Sequence, residues 1–172
     1  MQYSKNTPRL AFKVHPGSGP HLLLVHGFLS SSAQWLANLE ALSAVCKPVT
    51  VDLWGHGRSP APRDKTHYSP QAYAGQFEQI RQQLGIERWF VCGYSLGAGL
   101  SIRYAHDYPQ NVYGHIFTNS NSALAGPEQI QEWLQSAAKF AANIRSKGSA
   151  AIDRIPVHPR RARNLPEVVK AP

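Results

Sequence analysis

The residues of this chain whose spacing could do chemistry are a serine framed by glycines, two histidine–glycine pairs and one aspartate. Gly93-Tyr94-Ser95-Leu96-Gly97 matches G-x-S-x-G. The pattern is short, and its meaning comes from its place. It follows the apolar run Arg88–Cys92 and opens a small-residue-rich segment with helical spacing, Leu96–Tyr108. A strand that turns directly into a helix at a serine strains that residue and leaves its hydroxyl above the sheet. Glycines on both sides relieve the crowding of neighbouring backbones. The helix amino terminus favours negative charge that develops nearby. The chemistry this predicts is nucleophilic attack by Ser95. The plain alternative is an ordinary strand-to-helix turn that happens to carry a serine.

A second landmark, His26-Gly27-Phe28, follows the run His21–Val25. A loop at that place supplies one backbone N–H to an oxyanion hole, and the residue after the nucleophile supplies the other. The expected donors are Phe28 and Leu96, each worth ~2.7–4 kcal/mol of barrier. His26 reads as a packed turn histidine rather than a proton carrier, placed along the substrate with Leu29, Trp54 and Tyr94. The apolar Phe28, Leu29, Trp54 and Tyr94 predict a small-molecule substrate with a largely apolar acyl group. The third landmark is Asp52-Leu53-Trp54-Gly55-His56-Gly57-Arg58-Ser59, with Asp52 expected to be mostly exposed to loop chemistry. No metal site is expected, because the eight histidines show neither H-x-x-x-H nor H-x-H pairing with carboxylates. No cofactor is called for.

These residues need positioning elements. Leu10–Val14 reads as a short strand, His21–Val25 as a strand covered on both faces, Pro48–Leu53 as another. Arg88–Cys92 and Val112–Thr118 complete the strands. Ser31 or Ser32 caps a helix running to about Ala44 with Trp35, Leu36, Leu39 and Leu42 on one face. Ser69-Pro70 starts a helix that carries Tyr73, Phe77, Ile80 and Leu84 and ends at Gly85. Strand and helix alternate, which implies right-handed crossovers and an α/β fold, a mostly parallel sheet with helices on both faces. After Asn119 a loop leads to a long helix, Pro127–Lys147. Short helical pieces broken by Pro156, Pro159 and Pro166 follow.

The three landmarks, in this order, make the chain resemble the α/β-hydrolase superfamily in its serine-nucleophile, single-domain branch. The resemblance covers about residues 10 to 125. Its HGF and GYSLG wording is similar to esterases, carbon–carbon bond hydrolases and the menaquinone-pathway lyase on the same fold. Trp54 departs from the proline common in the third motif. Dehalogenases and epoxide hydrolases of the superfamily place Asp at the elbow, and Ser95 argues against both. The resemblance implies a helical lid and a Ser, acid, His triad in that chain order. Residues 1–125 would be the amino-terminal part of the core, and 126–172 the beginning of the lid.

A serine hydroxyl is weak until a base takes its proton and a carboxylate orients that base. The resemblance places both on loops after the last two strands, roughly 60 or more residues further on at ~30 per strand–helix unit. The other acid position, after Val112–Thr118, holds Asn119, Ser120 and Asn121. His56, His106, His115 and His158 read as structural or solvent-facing. The expectation is the amino-terminal part of a serine hydrolase, truncated before the last strands and feebly active alone. A non-catalytic binding protein and a half-enzyme completed by another chain are the alternatives.

Composition agrees with a globular chain. It has 172 residues, 42% hydrophobic and 16% charged, unlike disordered or low-complexity sequence. No apolar run approaches the ~18 residues of a membrane span. Cys46 and Cys92 are too few for a disulfide scaffold and suit a reducing, cytoplasmic compartment. Of the net charge of +8, +6 lies in the last 34 residues. That excess reads as part of a lid rather than a nucleic-acid arm, since the tail holds one aromatic, Phe140, and no binding module. Neither nucleic acid nor membrane is expected as a partner, and the oligomeric state is open.

Overall fold

The apolar run His21–Val25 (β2) is covered on both faces, and this decides the architecture. Leu23 and Val25 point to one side of the sheet and Leu22 and Leu24 to the other, as the two-residue strand period requires. The computed structural model describes residues 8–120, 126–153, 155 and 158. Five strands form one sheet in the order β1-β3-β2-β4-β5: β1 (Phe12–Val14), β3 (Lys47–Val51), β2, β4 (Trp89–Tyr94) and β5 (Val112–Thr118). β1 runs antiparallel to β3, and every other pair is parallel. The mostly parallel sheet expected from the sequence is the sheet observed.

Helices α1 (Leu36–Ser43), α2 (Pro70–Gln83) and α3 (Leu96–Asp107) connect the strands. α2 and α3 pack with one face of the sheet around Phe77, Trp89, Tyr104 and Trp54. On the other face Leu22, Leu24, Cys46 and Cys92 meet Trp35, Leu39 and Leu42. Both cysteines are buried free thiols, and burial pushes both above the ordinary thiol range. Between α2 and α3 lies a buried carboxylate. Glu78 accepts from Arg81, Gln82, Asn111 and the Tyr104 hydroxyl, which in turn accepts from Trp89 Nε1. Burial opposes its charge, but these donors prevail and hold its carboxyl below the usual range.

Local chemistry explains the element ends. Ser69 Oγ accepts from Ala72 N–H at 3.2 Å with proline at the first position of α2. Gly85 then takes φ +63 beyond its last turn. The helix expected from Ser31 to Ala44 is two pieces, a 3-10 turn at Ser32–Trp35 and then α1, with Ser31 as the cap. Three residues per turn before position 36 and 3.6 after it rotate Leu36 off the apolar stripe, and it is 42% exposed. The first strand is shorter than Leu10–Val14. Leu10 turns into the core, and its N–H donates to Gln76 Oε1.

The chain divides into two compact units after Ser120. The second contains α4 (Pro127–Lys147), with the bounds read from the sequence, and the short α5 (Ser149–Ile152). Gly148, at φ +62, separates them. Most of the loop at 120–126, and Pro156, Pro159 and Pro166, lie outside the described residues. Among those described, no helix is long and apolar enough to cross a membrane.

Candidate active site

Strain gathers at one edge of the sheet. Among the described residues, three non-glycine residues have positive φ: Leu29 at +57, Ser95 at +53 and Asn119 at +53. They stand just beyond the carboxyl ends of β2, β4 and β5, which are neighbours in the sheet. Such conformations persist only where surrounding structure over-determines them, and they cluster at functional sites.

Ser95 is the turn between β4 and α3, with ψ −114. Its N–H donates to Thr118 O at 3.0 Å, tying the turn to the end of β5. Its own carbonyl accepts from Ala98 N–H at 3.0 Å. Ser95 Oγ makes no hydrogen bond among the described residues. Leu96 is the first residue of α3, so its N–H has no acceptor within the helix. Two glycines make the turn possible. A Cβ at Gly97 would overlap the carbonyl oxygens of Val25 and His26, and one at Gly93 would overlap Ser101 Oγ and Gly97 O.

The 26–29 loop lies beside this turn. A Cβ at Gly27 would stand 2.9 Å from Tyr94 Cδ1 and 3.4 Å from Ser95 Cβ. Gly27 N–H donates to Gln34 Oε1 at 3.1 Å, and Leu29 N–H donates to His56 Nε2 at 3.2 Å. The N–H between them, that of Phe28, has no partner among the described residues. Tyr94, whose ring meets Gly27, receives a hydrogen bond on its hydroxyl from Asn119 Nδ2 at 2.8 Å.

The remaining residues divide into surface and core. Phe28 and Leu96 are exposed, at 42% and 41%, and Leu29 and Tyr94 are half-buried. His26 and Trp54 are enclosed, at 0% and 2%. Neither presents a side chain to a ligand, which corrects their expected place along the substrate. Trp54 packs in the core with its ring 5.9 Å from that of His67, and its indole N–H has no partner among the described residues. Asp52 is corrected too. It is 3% exposed, and its carboxylate accepts from Ser32 N–H at 2.6 Å and Arg58 N–H at 3.1 Å.

His26 is held in one tautomer by its partners. Leu53 N–H donates to Nε2 at 3.0 Å, so the ring proton sits on Nδ1 and is donated to Gly27 O at 2.7 Å. Burial, foremost, pushes this imidazole from 6.5 down to about 4, helped by His56 and opposed by the Gly27 carbonyl and Asp52. Between those two values the unfolded chain binds the proton and the folded chain does not. Stability from this group is therefore full above pH 6.5 and is lost as pH falls toward 4. The shift corresponds to about 3 kcal/mol. Urea unfolding of the wild type and His26→Gln across pH 4–7 checks this, with a shallower pH dependence expected in the variant. An identical pH dependence would assign the effect to other groups.

Two other histidines of the first unit, His115 and His106, are engaged away from Ser95. His115 Nε2 stands 2.8 Å from Ser101 Oγ, a fully buried hydroxyl that also donates to Ala98 O. His106 is paired with Asp107, and His158 lies 3.7 Å from Asp153. Among the described residues, no group of three His, Cys, Asp or Glu could hold a metal ion.

This is the architecture of a doubly wound α/β protein with a serine on a strained strand-to-helix turn beside a backbone N–H that has no partner among the described residues. The chain belongs to the α/β-hydrolase family, whose sequence profile (alpha/beta hydrolase fold) matches residues 20–151. An uncharacterized protein of Mycobacterium tuberculosis is 38% identical over 104 residues, 60% of this chain and 30% of that protein. Fluoroacetate dehalogenase of a Burkholderia species is 35% identical over 99 residues, 56% of this chain and 33% of that enzyme. Among solved structures, the N-acyl homoserine lactonase AidH complexed with N-butanoyl homoserine is 34% identical with a TM-score of 0.61. That match covers 66% of this chain and 42% of the lactonase. The chain thus spans about a third of the length of these curated relatives.

Two features of the site were not foreseen from the sequence, the buried role of Asp52 and the use of His56 as an acceptor. The only hint was the pair of glycines around His56, which give its loop room to fold back.

Proposed function

We propose that this chain carries the nucleophile and the oxyanion-binding donors of a serine hydrolase that acts on acyl compounds. The observation that carries the reading is Ser95 itself. It is held at φ +53 between β4 and α3, with its Oγ unpartnered among the described residues and the Phe28 loop packed against it. Ser95 Oγ attacks the acyl carbon, whose carbonyl oxygen becomes the oxyanion. The N–H groups of Phe28 and Leu96 receive that charge, and the amino end of α3 favours it. The acyl chain lies against the exposed Phe28 and Leu96 side chains and the half-buried Leu29 and Tyr94. The Ser95 proton must pass to a general base, and among the described residues none is hydrogen-bonded to Ser95 Oγ. α4 is proposed as the beginning of a lid. The serine distinguishes this chemistry from carboxylate-nucleophile reactions on the same fold.

A fluorophosphonate probe tests the assignment. Mass spectrometry is expected to find the adduct on the peptide containing Ser95, slowly formed because no base is hydrogen-bonded to Ser95 Oγ among the described residues, and to find none in Ser95→Ala. Equal labelling of both proteins, or a wild-type adduct elsewhere, would overturn it.

A further inference from the structure

His56 belongs to the loop after β3, yet its ring serves the loop after β2. Its backbone is fixed first. His56 N–H donates to Leu53 O, Ser59 N–H donates to His56 O, and Gly55 N–H donates to Pro60 O, all within 2.9–3.0 Å. The ring stands on that closed turn. Its Nδ1–H donates to Trp54 O at 3.0 Å, which leaves Nε2 as a lone-pair acceptor for Leu29 N–H. It also lies 5.2 Å from the His26 ring and 6.0 Å, edge-on, from Phe28. The residue it holds, Leu29, is one of the three strained residues of the sheet edge. A leucine in the left-handed region reverts to an ordinary conformation unless something opposes it. The hydrogen bond to Nε2 opposes it directly.

We infer that His56 is a positioning residue for the oxyanion hole: by accepting the Leu29 N–H it holds Leu29 left-handed and turns the intervening Phe28 N–H toward Ser95. The logic is one of elimination along three consecutive amides. Gln34 takes the first and His56 the third, and the second has no partner among the described residues. Without the acceptor at position 56, the Leu29 amide would seek another partner and the peptide plane before it would rotate. The Phe28 N–H would then no longer face the tetrahedral oxygen. Its catalytic meaning rests on the reading of Ser95 as nucleophile; the structural part does not.

Three variants of the full chain separate this from simple packing. His56→Phe keeps a flat ring beside Phe28 and His26 but accepts no hydrogen bond. His56→Gln offers Oε1 near the place of Nε2. His56→Ala removes both. Amide hydrogen exchange followed by NMR is expected to show Leu29 protected in the wild type and His56→Gln, and exposed in His56→Phe and His56→Ala. Val91 in the core serves as the reference for global stability. Equal Leu29 protection in the wild type and His56→Phe would overturn the proposal whatever the chemistry at Ser95. In the second arm, the rate of fluorophosphonate adduct formation is expected to fall ~10–100-fold in His56→Phe, below the ~10²–10³ of losing an oxyanion donor outright. The fall should lie in the maximal inactivation rate and not in probe affinity, and His56→Gln should recover most of it. A loss that Gln does not restore, with Leu29 protected again, would assign His56 to packing. If the wild type forms no adduct, the reading of Ser95 fails while the exchange arm still decides the role of His56.

Discussion

Gly97→Ala is expected to destabilise the folded chain by about 3 kcal/mol or more, at the upper end for overpacking by a single methyl. The added carbon would sit within the space of the Val25 and His26 carbonyl oxygens. Neither oxygen can yield easily. Val25 is registered between Val51 of β3 and Gly93 of β4, and His26 is clasped to Leu53. The strain must go into α3, which would have to lift from the sheet at the very turn that carries Ser95. Two positions further on the same change has the opposite sign. A Cβ at Gly99 would meet nothing within 4 Å, and replacing a helical glycine with alanine gains roughly 0.8–1 kcal/mol. Urea unfolding of the two variants checks the contrast. Equal effects at the two positions would mean that helix propensity, not the backbone contact, governs Gly97.

Asp52→Ala is expected to lower stability by about 3 kcal/mol. Each carboxylate oxygen takes one backbone N–H, from Ser32 and from Arg58, and hydrogen bonds to a charged group are worth roughly 1.5–3 kcal/mol each. The Asp52 carbonyl also accepts from Ser59 Oγ, which accepts from Ala11 N–H, so one residue joins β1 to the loops after β2 and β3. Asp52→Asn is expected to lose a large part of the same amount, because its amide nitrogen would face an N–H with another N–H. If the asparagine variant matched the wild type in urea midpoint, one of the two contacts would be dispensable.

The sequence carried the fold further than the site. The bounds of α2 and α4 follow from Ser69-Pro70, Gly85 and Pro127, signals that act within one turn of where they stand. The β2 run announces burial on both faces by its lack of alternation. Ser95 was legible for the same reason, since a strand, a serine and a helix stand in unbroken succession. What could not be read were side-chain-to-backbone bonds across the sheet edge. Leu29 and His56 are 27 residues apart, as are His26 and Leu53, and Ser32 and Asp52 are 20 apart. Nothing local distinguishes a histidine that faces a ligand from one that clasps a loop. Trp54 was misplaced in the same way, because position after a strand suggests the mouth of a site. Its enclosure is decided by packing that the sequence does not display.

The two thiols beneath α1 have a consequence of their own. A thiol reacts as its thiolate, and burial raises the Cys46 and Cys92 thiols above their ordinary range. In the folded chain burial therefore disfavours the reactive thiolate at both. Any opening of α1 from the sheet would expose them together with Leu22 and Leu24, which share their cluster. Alkylation of these thiols is therefore expected to report how often the packing on this side of the sheet opens.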